Sequence, residues 1–286
     1  MAEDIYTGYM GIGVFGGKSV RCTDFNANVN QEFGFYNHVI GLNDTTPGGS
    51  KTKGENIGNW RTQRTFVKPN PLMIEGSASF PATESNISYF FNFIKTGSFV
   101  GDISFYYNCL EGRTFQNARL SSFTLDVTAG DILNITVGFA AKSVFSVGGG
   151  TPYKDPEKLL TWDQVSIQVN DLNFSSSDLL KSFTLDAKNP IIPIYTNDPK
   201  NAFSDLAPRD LRLGIQEVSG AVTCYNVDGP LALGDCGFPA APSVINIVAG
   251  TFSAFINCLL LPAQVTGSTG PTTTSVGFVG VDKAFG

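Results

Sequence analysis

The residues able to do chemistry are few in this chain, and they are scattered. There is a single histidine, His38, among aromatic neighbours, and a lone imidazole packs far more often than it catalyses. The five cysteines, Cys22, Cys109, Cys224, Cys236 and Cys258, show no CxxC spacing. They read as buried free thiols rather than as metal ligands or a disulfide framework. The sequence GIGVFG at 11–16 matches GxGxxG, but a dinucleotide site needs a strand before that motif and a helix after it. Here ten mostly polar residues precede it, and KSVRCTDFNANV follows with the alternation of a strand. HExxH, Walker, GxSxG and paired-cysteine metal motifs do not occur. The 25 Asp and Glu residues leave a carboxylate-pair hydrolase open on composition, yet nothing groups them. The expectation is a non-enzyme with no catalytic residue, no metal ligand and no cofactor.

Composition points the same way. A chain of 286 residues has room for one large or two ordinary domains. Gly (31), Pro (15) and Phe (23) are plentiful while charged residues make up 15%, which favours strands and turns over surface helices. The net charge is −6 and the isoelectric point about 4.8. A surface that grips nucleic acid uses Lys and Arg to neutralise phosphates, so this balance argues against one. It suits a surface that nucleic acid passes without sticking. No run reaches the roughly 20 apolar residues of a membrane helix. MAEDIYTGYM is acidic where a signal peptide is basic and then apolar, so assembly in cytoplasm is expected.

The chemistry-poor residues sit on a strongly patterned scaffold. In 211–225, Val218, Gly220, Val222 and Cys224 alternate with Ser219, Ala221, Thr223 and Tyr225, the period of a strand buried on one face. An imperfect copy lies in 69–80, where Ile74, Gly76, Ala78 and Phe80 alternate with Glu75, Ser77 and Ser79. Gly76 and Gly220 are 144 positions apart, about half the chain, and this suggests a duplicated all-β unit. A second match sets 20–30, read as the first strand, against 164–170. A weaker third match sets the turn Ala129-Gly130-Asp131 against Ala249-Gly250-Thr251. The pentapeptide SFTLD at Ser122 and Ser182 falls at different points of this repeat and reads as coincidence. Residues 83–95 form the best helix: Ile87, Phe90, Phe91 and Ile94 share one face, Thr83 or Ser85 caps the start and Gly97 closes the end.

Between these elements lie segments of another kind. Residues 1–17 read as an N-terminal arm, 146–158 (SVGGGTPYKDPEK) as a linker and 262–286 as a C-terminal arm. The two β units are then 18–145 and 159–261. Residues 41–59 hold turn formers and almost no apolar side chain, and so long a loop in a compact domain is usually functional or mobile. We read it as projecting towards a neighbouring subunit, with Asn43, Asp44, Lys51, Lys53, Glu55 and the adjacent Trp60 as candidate contacts.

The order VSIQVNDL, SFTLDAKNPIIPIYTND and LAPRDLRLGIQEVSGAVTCY in the second half resembles the tail tube proteins of long-tailed bacteriophages. The first half resembles a diverged copy through CTDFNANVNQEFGFYNHVIG, WRTQRTFVKPNPLMIEGSASFPA and SFTLDVTAGDILNITVGF, and keeps only IEGSAS of the strand motif. The resemblance spans about 18–260. It implies two tandem tail-tube-like β-sandwich or barrel domains, one with a flanking helix. It also implies rings stacked into a hollow tube, each ring built from three copies of a duplicated chain. The implied partners are other copies of the chain, tail proteins such as a sheath, baseplate or terminator, and viral DNA that crosses the lumen unbound. The implied location is the virion tail. Two other readings stand beside it: a different virion β-protein, and a carbohydrate-binding β-sandwich. For the latter, Trp60 and Trp162 sit at predicted strand starts, which suits packing better than sugar stacking.

Overall fold

The computed structural model of the chain describes residues 11–30, 33–38, 64–69, 73–106, 111–148, 157–169, 172–175, 180–195, 207–225, 243–267, 272–281 and 284–285. Its first half contains β1 (Gly11–Phe15), β2 (Lys18–Cys22), β3 (Asp24–Asn30), the hairpin of β4 (Phe33–His38) and β5 (Arg64–Pro69), and β6 (Met73–Pro81). Helix α1 (Glu84–Thr96), β7 (Phe99–Tyr106), β8 (Glu111–Thr128), β9 (Asn134–Ala141) and β10 (Ser143–Gly148) complete it. The second half contains β11 (Val165–Val169), β12 (Leu172–Ser175), β13 (Leu180–Lys188), and the pair β14 (Ile191–Ile194) and β15 (Asp210–Leu213). Then follow β16 (Glu217–Tyr225), β17 (Ser243–Ala249), β18 (Phe252–Leu260), β19 (Gln264–Thr266) and β20 (Thr273–Gly280). The protein is mainly β with one α-helix among the described residues, as its composition predicts.

The same antiparallel pairing path occurs twice. It runs β2–β1–β7–β8–β9–β6–β3 in the first half and β12–β11–β17–β18–β20–β16–β13 in the second. The β4–β5 and β14–β15 pairs lie off the path at matching points of the chain. The predicted match of Gly76 with Gly220 agrees with this order, because β6 and β16 take the same place. The other two matches do not. By its partners β11 takes the place of β1, and β3 is matched by β13. The Ala249-Gly250-Thr251 turn joins β17 to β18, whereas Gly130 lies between β8 and β9. Short alternating strands resemble one another in composition, and only the hydrogen-bonded neighbour distinguishes them.

Several sequence boundaries move for the same reason. The strand expected over 20–30 is two strands broken at Thr23, whose amide donates to the Ser79 carbonyl at 2.8 Å. The N-terminal arm cannot include 11–15, since β1 lies between β2 and β7. The C-terminal arm is corrected further: β20 lies between β16 and β18, with Val276 and Phe278 buried. Small polar residues hid it, because its alternation is set in Ser, Thr and Gly. The expected linker also starts inside a strand, β10, and is followed directly by residues that bridge to the first half at Thr83–Leu159 and Ile132–Thr161.

Helix α1 forms where expected. Thr83 is its N-cap in a capping box with Asn86, Glu84 lies at the positive end of its dipole, and Gly97 closes it in the left-handed region at φ 64°. Its apolar face packs on both halves at once. Phe90 meets Phe15 and Phe80 at centroid distances of 5.0 and 4.9 Å, while Phe91 meets Phe123, Phe252 and Phe285 at 5.9, 5.2 and 4.9 Å. The end of the helix is held from the second half. Asn189 Nδ2 and Gln216 Nε2 donate to the Ile94 carbonyl at 2.7 and 2.9 Å, and Gln216 also donates to Asn189 Oδ1 at 2.9 Å. One core therefore runs through both halves.

Candidate functional site: a polar sheet face

The two paths join at one seam. The C-terminal part of β8 pairs with β9 on one side and with β13 on the other. The result is one unbroken run, β3–β6–β9–β8–β13–β16–β20, extended by β18 and β19 along the far side of β20. Antiparallel neighbours keep their side-chain faces in phase, so every strand of this run sends one set of residues to the same side.

The inner set is apolar and buried: Ile74, Ala78 and Phe80; Ile135, Val137 and Phe139; Phe123 and Leu125; Phe183 and Leu185; Val218 and Val222; Val276 and Phe278. The glycines serve this packing. A Cβ on Gly76 would overlap the ring of Phe139, and one on Gly220 would overlap the ring of Phe278 and the Thr184 carbonyl oxygen. Each phenylalanine occupies the space that a side chain on the opposite glycine would otherwise fill.

The outer set is short and mostly polar, with Val279 of β20 and Leu259 of β18 as exposed apolar members at one end. In register it reads Asn26 and Asn28 on β3, Ser77 and Ser79 on β6, Thr136 and Asn134 on β9, and Thr124 and Asp126 on β8. It continues through Thr184 and Asp186 on β13, Ser219, Ala221 and Thr223 on β16, and Ser275 on β20. Cross-strand hydrogen bonds tie the face together: Ser79 with Thr136 at 2.9 Å, Thr124 to Asp186 at 2.6 Å, and Thr223 to Ser275 at 3.0 Å. Six of these side chains are engaged with one another in this way.

Asp24, Glu75, Asp126, Asp186 and Glu217 place carboxylates on this face. Lys188 Nζ approaches Asp186 Oδ2 to 3.6 Å. Partial burial raises the Asp126 carboxyl above its ordinary value, the nearby Asp186 charge adds to the rise, and a hydrogen bond from Thr184 opposes it. The face is smooth, hydroxylated and weakly acidic.

Among the described residues no group of three or more His, Cys, Asp or Glu could hold a metal ion, and no helix is long and apolar enough to cross a membrane. GIGVFG lies in a hairpin, with Gly16 and Gly17 turning from β1 into β2. Cys22, Cys224 and Cys258 are free and buried, and burial pushes their thiols up to about 12, 12 and 11. Cys109, Cys236 and the six predicted contacts, Asn43, Asp44, Lys51, Lys53, Glu55 and Trp60, lie outside the described residues. Alternation alone marks the polar face in the sequence, for example DFNAN at 24–28 and SFTLD at 122–126. What the sequence does not show is that these strands are neighbours.

A family model described as phage tail tube protein matches residues 6–280, nearly the whole chain. No curated protein matches it.

Proposed function

The chain belongs to the phage tail tube protein family, and from that premise we propose that it polymerises into stacked rings whose lumen is lined by the polar sheet face. A structural role in the virion tail comes with the family, which is not a family of enzymes. The finer reading is carried by one observation: a sheet that crosses both halves, apolar on one side and mostly Ser, Thr, Asn and Asp on the other. A conduit for genome delivery needs such a wall. Carboxylates repel the phosphate backbone, and hydroxyls already bonded to each other offer it few free donors.

The repeated pairing path supports a ring of three chains, each supplying two tube-like units. Head-to-tail contacts of this type close when the rotation allows. Contacts along the axis are assigned from composition to residues 41–59, with Asn43, Asp44, Lys51, Lys53, Glu55 and Trp60 as the reaching groups. Other tail proteins, such as a baseplate, terminator or sheath, would meet the ends or the outer wall. Assembly takes place in the host cytoplasm in this reading.

The test is negative-stain electron microscopy of the purified protein over a range of concentrations. Hollow tubes or stacked rings with threefold symmetry are the expected result. Monodisperse particles at every concentration would overturn self-polymerisation and favour a capping or decorating component.

A further inference from the structure

The seam inside the chain predicts the seam between chains. Along the joined sheet the first unit contributes β3, β6, β9 and β8, and the second contributes β13, β16, β20 and then β18 with β19. β8 and the β18–β19 pair take the same place, and both are irregular at neighbouring points. The register of β8 slips between Leu120 and Ser122. Along β20, the partner changes from β18 to β19 between Leu261, bonded to Gly277, and Gln264, opposite Ser275.

The far edge of β8 is covered by β13. The two matching edges are open among the described residues: β19 pairs only with β20, and β3 pairs only with β6. Counting outward from the equivalent pairs Gly76–Phe139 and Gly220–Phe278 gives the correspondence residue by residue. Val265, opposite Thr274, takes the place of Leu125, opposite Ile135. Ala27, opposite Gly76, takes the place of Leu185, opposite Gly220. Within the chain Leu125 and Leu185 face each other and are 1% and 0% exposed. Their counterparts lack that cover: Val265 is 60% exposed and Ala27 only partly buried.

On these grounds we infer that β19 of one copy pairs antiparallel with β3 of the next, with Val265 opposite Ala27, Gln264 opposite Asn28 and Thr266 opposite Asn26. This rests on the tube reading above and names its ring-forming contact. Strand directions alternate along the whole run, so a β3 added beside β19 continues the order. The pairing uses the backbone groups that an open sheet edge leaves to solvent. It also buries Val265 and places amide and hydroxyl side chains together, where the internal seam has Thr and Asp. A closed ring then has no open edge on its inner wall.

Disulfide trapping tests the register. In a background with Cys109→Ser and Cys236→Ser, two pairs are made, Gln264→Cys with Asn28→Cys and Thr266→Cys with Asn26→Cys. The control is Gln264→Cys with Asp24→Cys, four residues out of register. Each is assembled under reducing conditions, imaged, then oxidised and run on a non-reducing gel. Tubes in the reduced sample show that the variants fold. The expected result is a ladder of multiples of the chain mass for the two in-register pairs and not for the control. Tubes without in-register links, or with equal linking through the control, would overturn this seam and leave the tube reading intact. A chain that neither assembles nor links would overturn both.

Discussion

Leu125 and Leu185 stand directly opposite each other in the antiparallel pair that joins the two halves of the chain. On one side of them Thr124 donates to Asp186, and on the other Thr184 bonds Asp126. A local twofold relation therefore passes between the leucines, and both lie in the shared core. The seam is a built interface, hydrogen-bonded on its wet face and packed on its dry one. Leu125→Ala or Leu185→Ala is expected to cost about 2–5 kcal/mol, as for other buried leucines. Chemical denaturation of the purified protein measures it, and a loss well under 1 kcal/mol would show the seam to be loosely packed.

The glycines beneath the phenylalanine rings make a second prediction. Gly76→Ala and Gly220→Ala each force a methyl group into occupied space, with an expected cost of about 1–3 kcal/mol. At Gly76 the ring of Phe139 is the nearest obstacle, so Phe139→Leu should recover part of the loss. At Gly220 the nearest atom is the Thr184 carbonyl oxygen, and Phe278→Leu should recover less. Double-mutant cycles read by denaturation decide between these outcomes.

Helix α1 is predicted to couple the halves. Phe91→Ala removes one ring that touches Phe123 on one side and Phe252 and Phe285 on the other, and should cost about 3–5 kcal/mol. Asn189→Ala leaves the Ile94 carbonyl with one donor fewer in a buried setting and should cost about 1–3 kcal/mol. Calorimetry should show one transition in the wild type and a broadened or split one in Phe91→Ala. A single sharp transition in that variant would mean that β8–β13 pairing alone unites the core.

Thiol chemistry reports on the same core. With pKa values pushed up to about 12, 12 and 11, Cys22, Cys224 and Cys258 hold almost no thiolate near pH 8. In the background with Cys109→Ser and Cys236→Ser, a thiol reagent should label these three only after denaturant is added. Rapid labelling in native buffer would show that the core opens.

Asp126 makes the pH prediction. Its folded pKa lies above the unfolded one, so the folded state holds the proton more tightly. The resulting contribution favours folding below the ordinary carboxylate range and is lost as pH rises through the folded pKa. Asp126→Asn should therefore be slightly more stable than wild type at pH 7, with the advantage shrinking as the medium is acidified. Thermal melts at pH 7 and pH 4 test the sign.

Much of this architecture is legible in the chain alone. Period-2 alternation marked β6, β16 and the β8–β9 pair, because a sheet with one buried face demands it of each strand separately. The 3.6-residue spacing of Ile87, Phe90, Phe91 and Ile94, with Thr83 and Gly97 at its ends, marked the helix for an equally local reason. The Gly76–Gly220 match survived because each glycine lies under a ring at the same place in its sheet. The partners of each strand were not legible. Backbone hydrogen bonds carry no residue code, so DFNAN could be matched to VSIQV by composition while the fold matches it to LKSFTLDAK. The two SFTLD copies looked accidental for the same reason: their relation is a pairing, and a pairing between segments 60 positions apart leaves no periodic mark on the chain. Only the tertiary structure aligned the hydroxyls and carboxylates of seven strands into one polar face. A face exists only once neighbours, register and the buried side are decided together.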